Sequence, residues 1–142
     1  MERAVVLGAA RTPFGKFGGV LSPLSAPELG GATIREAIDR SGVEDGELEH
    51  SIFGIVVQAG IGQIPSRQAN FHAGLSFELT TETLNQVCAS GLRSATLAET
   101  LIRAGDYDPV TPVLVTNPED HPVTGARTGD VQAGEPLFEA GD

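Results

Sequence analysis

Ile52-Phe53-Gly54-Ile55-Val56-Val57 is a continuous apolar run of strand length, and it predicts a β-strand that is buried on both faces. Ala4-Val5-Val6-Leu7-Gly8-Ala9 has the same character. Between the two runs, Ser25-Ala26-Pro27-Glu28 forms a capping-box pattern with a proline in the first turn, and apolar residues follow at helical spacing until Gly42. A strand, a helix and a strand in this order predict a right-handed parallel crossover.

Further strand and helix signals follow the central run. A short helix is predicted over residues 65–73, ended by Gly74. Residues 79–87 include three threonines and alternate well enough to predict a third strand. A last helix is expected to begin near Gly91 and to end at Gly105, with its apolar side chains on one face. This alternation predicts an α/β fold with a mostly parallel sheet.

The composition limits the classes of function. The chain has 142 residues, with 19 acidic and 9 basic side chains and a formal net charge of −10. This length is enough for about one domain with its own core. Lys and Arg form no cluster, and this argues against a nucleic-acid partner, because phosphate binding depends on grouped basic side chains.

The acidic residues are unevenly distributed. Residues 1–105 carry 11 acidic and 8 basic side chains, whereas residues 106–142 carry 8 acidic side chains and only Arg127 as a base. We therefore predict a partial domain over residues 1–108 and an acidic, Pro- and Gly-rich tail over residues 109–142. The tail is expected to hold an edge strand at 113–116 and to be loop or disorder elsewhere.

The sequence carries no signal for export or for membrane insertion. The apolar run after Arg3 is too short for the hydrophobic part of a signal peptide, and no apolar stretch approaches 18 residues. We expect a cytoplasmic protein with no membrane partner. The single cysteine excludes an internal disulfide and a Cys-rich metal site, and no group of His, Cys and carboxylate side chains has ligand spacing, so no metal is expected.

Cys88 lies where the threonine-rich strand gives way to a helix, and small residues follow it. The first amides of a helix and its dipole favour a thiolate at such a position, and small neighbours leave room for an acyl group. This placement suits an activated nucleophile, which still requires a base. A lone cysteine is more often a small buried apolar residue, and its position at the start of a helix makes the two interpretations only about equal.

The residues around the cysteine add a resemblance. Asn85-Gln86-Val87-Cys88-Ala89-Ser90-Gly91-Leu92 closely resembles the nucleophile motif of the thiolases, the acyl-CoA C-acyltransferases. Residues 11–19 (RTPFGKFGG) and 58–69 (QAGIGQIPSRQA) resemble two further stretches of the same family in the expected order. Over residues 3–108, the chain therefore resembles the N-terminal portion of a thiolase.

The resemblance implies a fold and a reaction. It implies an incomplete three-layer α/β/α half of a thiolase-like fold, with an irregular C-terminal tail. Cys88 would take the acyl group of one acyl-CoA as a thioester for transfer to a second acyl-CoA, and the reverse reaction would cleave a 3-ketoacyl-CoA. Coenzyme A thioesters would be substrates, with no bound cofactor, and the amide of Cys88 would be one oxyanion donor.

Five neighbours of the site are candidates for supporting roles. Three of them lie beside the cysteine in the nucleophile motif, and two lie in the glycine-rich stretch that the family places near the active site; they are Asn85, Ser90, Gly91, Gln63 and Arg67.

The chain also departs from the family. Thiolases are longer and consist of two similar halves, and the base histidine and a second cysteine lie in the second half. Neither His50 nor His72 has a context that suggests catalysis, and His121 follows Asp120 in the tail. We therefore expect an acyltransferase fragment of fatty acid metabolism that is not competent alone. The alternative is a non-catalytic module that pairs with a second-half chain or an intact thiolase subunit. Homo-oligomerisation or complementation would use strand 80–87. A cysteine hydrolase ranks last.

Overall fold

A computed structural model describes residues 4–107 and 114–116 of the chain. Within this part of the chain, helices and strands alternate along most of the sequence. The elements are α1 (Ala26–Ser41), a short 3-10 helix (Asp45–Glu47), β1 (His50–Gly54), α2 (Pro65–His72), β2 (Thr80–Leu84), α3 (Ser90–Ala104) and β3 (Leu114–Thr116).

The three strands form one parallel sheet with the order β2-β1-β3. All five residues of the central strand β1 are buried. Phe53 of β1 belongs to a core that includes Ile34 and Ile38 of α1, whereas Gly54 lies against Ser90 of α3. Because neighbouring residues of a strand face opposite sides, α1 and α2 cover one face of the sheet and α3 covers the other. The predicted three-layer α/β/α architecture is therefore confirmed.

Local signals account for the bounds of α1. The hydroxyl of Ser25 receives a hydrogen bond from the amide of Glu28, and the carboxylate of Glu28 receives one from the amide of Ser25 at 2.7 Å. This reciprocal pair satisfies two amides that have no partner within the helix. Gly42 ends the helix in a left-handed conformation, with φ of 71°, which glycine adopts without steric cost.

The predicted strand over residues 4–9 is wrong. Only Val5 takes part in a bridge there, and the other residues of the segment are not assigned to a strand. The segment runs beside the end of α1, where Arg40 donates to the carbonyl oxygen of Ala9 at 3.0 Å. A strand needs backbone hydrogen bonds to a neighbour along its length, and within the described residues this pattern occurs only at Val5 of the segment. The parallel connections are instead β1-α2-β2 and β2-α3-β3.

The other predicted elements are present with altered ends. The central strand begins at His50 and ends at Gly54, earlier than predicted, and β2 is shorter than the predicted 79–87. The predicted domain boundary at residue 108 stays a prediction. Apart from the backbone of β3, the tail over residues 109–142 lies outside the described residues.

Hydroxyl and amide side chains lie between α2 and the sheet. The side chain of Asn70 donates to the hydroxyl of Ser51 at 2.8 Å, and that hydroxyl lies 2.9 Å from the hydroxyl of Thr81. The hydroxyls of Ser66 and Thr83 lie 2.7 Å apart. Since buried polar groups are costly without a partner, these pairs hold α2 in one position over β1 and β2. The apolar pattern of the sequence did not predict them.

His50 is a buried histidine at the beginning of β1. The hydroxyl of Thr80 donates to the carbonyl oxygen of Glu49 at 2.7 Å, so its oxygen accepts from Nδ1 of His50, also at 2.7 Å. The ring stacks on Tyr107 with 4.8 Å between centroids. Its Nε2 has no hydrogen-bond partner among the described residues. Burial lowers the pKa of His50 below its ordinary value of 6.5, although Glu82 acts in the opposite direction.

This environment predicts a loss of stability in mild acid. Because the pKa of His50 is lower in the folded chain than in the unfolded chain, the unfolded chain binds the proton first as the pH falls. We expect the free energy of unfolding, measured by urea titration, to decrease as the pH falls below about 6.5. The decrease in the free energy of unfolding with falling pH should be smaller in His50→Gln. It should persist in His72→Gln, because His72 is exposed in the folded chain. An unchanged slope in His50→Gln would contradict this assignment.

Candidate active site at the start of the third helix

Cys88 lies in the turn that joins β2 to α3, at the carboxyl end of the parallel sheet. Its side chain is exposed, so the interpretation as a small buried apolar residue is wrong. Ligands of open α/β sheets bind at this end, outside the carboxyl ends of the strands. The thiol is therefore accessible at the carboxyl end of the sheet, where such folds bind their ligands.

The turn that carries the thiol has an unusual backbone conformation. Val87, directly before Cys88, has a positive φ of 52°. This left-handed region is rare for a β-branched residue, because the branched side chain crowds the backbone. The chain that follows β2 therefore turns at this residue, before α3 begins at Ser90.

Two side chains hold this turn. Asn85 accepts a hydrogen bond from the amide of Val87 at 2.9 Å and donates to the carbonyl oxygen of Val56 at 2.8 Å. The hydroxyl of Ser90 accepts from the amide of Gln86 at 2.8 Å and donates to the carbonyl oxygen of Val87 at 2.6 Å. Ser90 is completely buried, so its two bonds are partly shielded from water, whereas those of Asn85 are exposed. The structure thus brings Asn85 and Ser90 together around Cys88.

Most backbone amides of the turn donate hydrogen bonds. Those of Gln86 and Val87 donate to the side chains just described, and those of Ala89 and Ser90 donate to carbonyl oxygens of Gln86 and Val87. Cys88 itself precedes Ala89, the N-cap residue of α3, so its amide lies just outside the helix.

Gly54 permits the helix to stand this close to the sheet. A Cβ atom added at Gly54 would lie 2.5 Å from the carbonyl carbon of Ser90 and 2.7 Å from its Cβ. Both distances are far below van der Waals contact, so no other residue fits without moving α3. Sequence reasoning missed this role, and the only available signal was a glycine inside an otherwise apolar strand.

The remaining candidate residues are not joined to the turn by contacts. Gln63 is exposed, and its carbonyl oxygen accepts from the side chain of Gln68 at 2.9 Å. Arg67 donates to the carbonyl oxygen of Phe77 at 3.0 Å. Gly91 lies in the first turn of α3 and is half-buried. Supporting roles for these residues stay predictions.

The histidines that the structure describes are distant from the thiol along the sheet. His50 begins β1, at the end of the sheet opposite to Cys88. The N-terminus of α2 lies beside the end of β2, through the bond between Ser66 and Thr83, so His72, the last residue of α2, lies toward the opposite end. His121 lies outside the described residues.

Within residues 4–107 and 114–116, no group of three or more His, Cys, Asp or Glu side chains is placed to hold a metal ion. No helix in this part of the chain is long and apolar enough to cross a membrane. An apolar recess lies between α1, α2 and β1, and it is lined by Ala26, Pro27, Phe53, Ile55, Pro65 and Ala69.

Comparisons with known proteins indicate the family of the chain. Residues 4–114 match the family model described as thiolase, N-terminal domain. The chain is 48% identical over 109 residues to an acetyl-CoA acetyltransferase from Syntrophomonas wolfei, covering 76% of this chain and 28% of that protein. It is 42% identical over 135 residues to one from Cupriavidus necator, covering 91% of this chain and 33% of that protein.

A solved structure is also similar. The acetyl-CoA acetyltransferase from Syntrophomonas wolfei superposes with a TM-score of 0.69 and 34% identity, covering 73% of this chain and 26% of that one. The chain thus spans between a quarter and a third of the length of the relatives described. An alignment over 91% of the chain also includes part of the acidic tail.

The close contact at Gly54 leads to a prediction. We expect Gly54→Ala to lower the free energy of unfolding by about 1–3 kcal/mol, because the added methyl group overlaps the backbone of Ser90. The matched control is Gly46→Ala, since a Cβ there meets nothing within 4 Å, and its change should stay within about 0.5 kcal/mol. Equal stability of the two variants in urea unfolding would show that the contact is not tight.

Proposed function

The chain belongs to the thiolase family, and from this premise we propose that Cys88 accepts the acyl group of an acyl-CoA thioester. The thiolate attacks the carbonyl carbon of the thioester, and the bond from that carbon to the sulfur of coenzyme A breaks. Coenzyme A leaves as a thiolate, and the acyl group stays on Cys88. The α-carbanion of a second acyl-CoA then attacks this acyl group, which releases the cysteine thiolate and forms a 3-ketoacyl-CoA.

The observation that carries this proposal is the exposed thiol of Cys88 in a turn that Asn85 and Ser90 hold at the carboxyl end of the sheet. Attack on a thioester places negative charge on the carbonyl oxygen, and a fixed amide donor near that oxygen stabilises the transition state. Ser90 and Asn85 hold the amides of Gln86 and Val87, so the backbone beside Cys88 is fixed, and we propose that the amide of Cys88 donates to this oxygen. One residue therefore supplies both the nucleophile and an oxyanion donor.

The complete reaction needs a base that the described residues do not bring to the thiol. His50 and His72 lie toward the other end of the sheet, and residues 4–107 and 114–116 offer no other histidine. We therefore propose that the base comes from a further polypeptide segment. Groups that act together in catalysis lose several orders of magnitude in rate when one of them is missing.

A second candidate function is that of a complementing module, and the apolar surface favours it. Phe17 is fully exposed and Val20 is 89% exposed, both in the loop before α1. Strand β2 is an edge of the described sheet, so its outer backbone groups can pair with another chain. We propose that these surfaces bind either a second-half chain or a second thiolase subunit. We also propose that the chain has a role in fatty acid metabolism and that it is located in the cytoplasm.

The nucleophile assignment is tested by acylation of the chain. At pH 9, where thiols ionise substantially without a base, we expect incubation with acetyl-CoA to give one acetyl adduct on Cys88, located by peptide mass spectrometry. Cys88→Ser should give none. An adduct that persists in Cys88→Ser, or no adduct on the wild-type chain, would overturn the assignment.

The complementing function is tested by mixing. The partner is the acetyl-CoA acetyltransferase of Syntrophomonas wolfei shortened by the part that this chain matches. We expect the mixture to elute from a sizing column as a larger species than either chain, and to gain thiolysis of acetoacetyl-CoA. Substitution of Phe17 by Ser should weaken the complex. Elution that never changes on mixing would reject this function.

A further inference from the structure

Val87 carries a steric cost that the chain does not offset internally. A β-branched residue with φ of 52° is crowded, whereas glycine adopts this conformation freely. The bonds that fix the turn use only the backbone amide and carbonyl of Val87, so any residue would form them. The valine side chain is 62% exposed and thus has limited packing against the chain. Within the described residues, no hydrogen bond of the turn requires a valine at this position.

The location of this side chain indicates what it contacts. Val87 precedes Cys88, whose thiol is exposed, and the residues after the thiol are Ala89, Ser90 and Gly91, all small. An acyl group on the thiol has its carbonyl oxygen near the amide of Cys88, so its alkyl part extends over the adjoining surface. Val87 is exposed and is the direct chain neighbour of Cys88, so its isopropyl group is available to an alkyl chain, whose contact would remove apolar area from water.

We propose that the side chain of Val87 contacts the alkyl portion of the acyl group carried by Cys88, and so contributes to the preference for acyl chain length. This inference rests on the proposed acyl transfer through Cys88. It assigns to Val87 a role in specificity, whereas Asn85 and Ser90 position the turn.

The test uses the full chain and two small thioesters, S-phenyl thioacetate and S-phenyl thiobutanoate. Thiophenol is a good leaving group, so these probes acylate a thiol without a general base. Single-turnover rates are followed by intact mass spectrometry. In Val87→Gly and Val87→Asn, which both tolerate the left-handed conformation, we expect the ratio of butanoyl to acetyl transfer to fall about 2- to 4-fold, the effect of losing contact with about one methylene group.

The control variant is Ile64→Gly. Ile64 is also β-branched, exposed and left-handed, with φ of 45°, and it directly precedes α2 rather than α3. The same strain is removed there, but the turn of Cys88 is unchanged, so the butanoyl to acetyl ratio should equal that of the wild-type chain. Alkylation by iodoacetamide corrects each rate for the reactivity of the thiol.

Each outcome decides the inference. An unchanged ratio in both Val87 variants overturns it, and so does an equal fall in Ile64→Gly. A change of oligomeric state in the Val87 variants, with the ratio preserved, assigns the side chain to a subunit contact and overturns it as well. If the wild-type chain forms no adduct with either thioester, acyl transfer through Cys88 is itself contradicted, and the assignment of Val87 falls with it.

Discussion

The contact between the end of β1 and the beginning of α3 is the constraint on which the rest of the site depends. Because Gly54 has no side chain, the backbone of Ser90 packs directly against the central strand, and the hydroxyl of Ser90 bonds two backbone atoms of the turn before it. That hydroxyl fixes the turn, and the turn determines where the thiol and the amide of Cys88 lie. A missing side chain on a strand thus controls the geometry of a nucleophile on a neighbouring loop.

The sequence predicted most accurately the features that rest on local chemistry. The capping box at Ser25 and the glycine at position 42 define α1, and Gly105 ends α3 in the same left-handed manner. Apolar runs were less reliable. They placed a strand at residues 4–9, where only Val5 takes part in a bridge, and they missed the start of β1, because His50 and Ser51 are polar residues buried through hydrogen bonds.

The candidate site was predictable in position but not in conformation. The strand, the small residues and the helix start pointed to Cys88, and the resemblance to thiolases named its chemistry. The sequence did not predict the left-handed backbone of Val87, because β-branched residues rarely adopt this conformation. The role of Gly54 was equally hidden, because it depends on Ser90, a residue 36 positions later in the chain. Patterns in a single sequence contain little information about contacts between residues that are distant in the chain.

The buried hydroxyls between α2 and the sheet have a consequence for how this sequence can evolve. Ser66 and Thr83 satisfy each other, as do Ser51, Asn70 and Thr81. A mutation that makes one partner apolar leaves the other without a hydrogen bond, although an apolar pair of similar shape can be nearly neutral. A single mutation on the way from a hydroxyl pair to an apolar pair is therefore unfavourable, although both pairs are acceptable. Positions 66 and 83 are expected to vary together among related sequences, and drift at either one depends on what occupies the other.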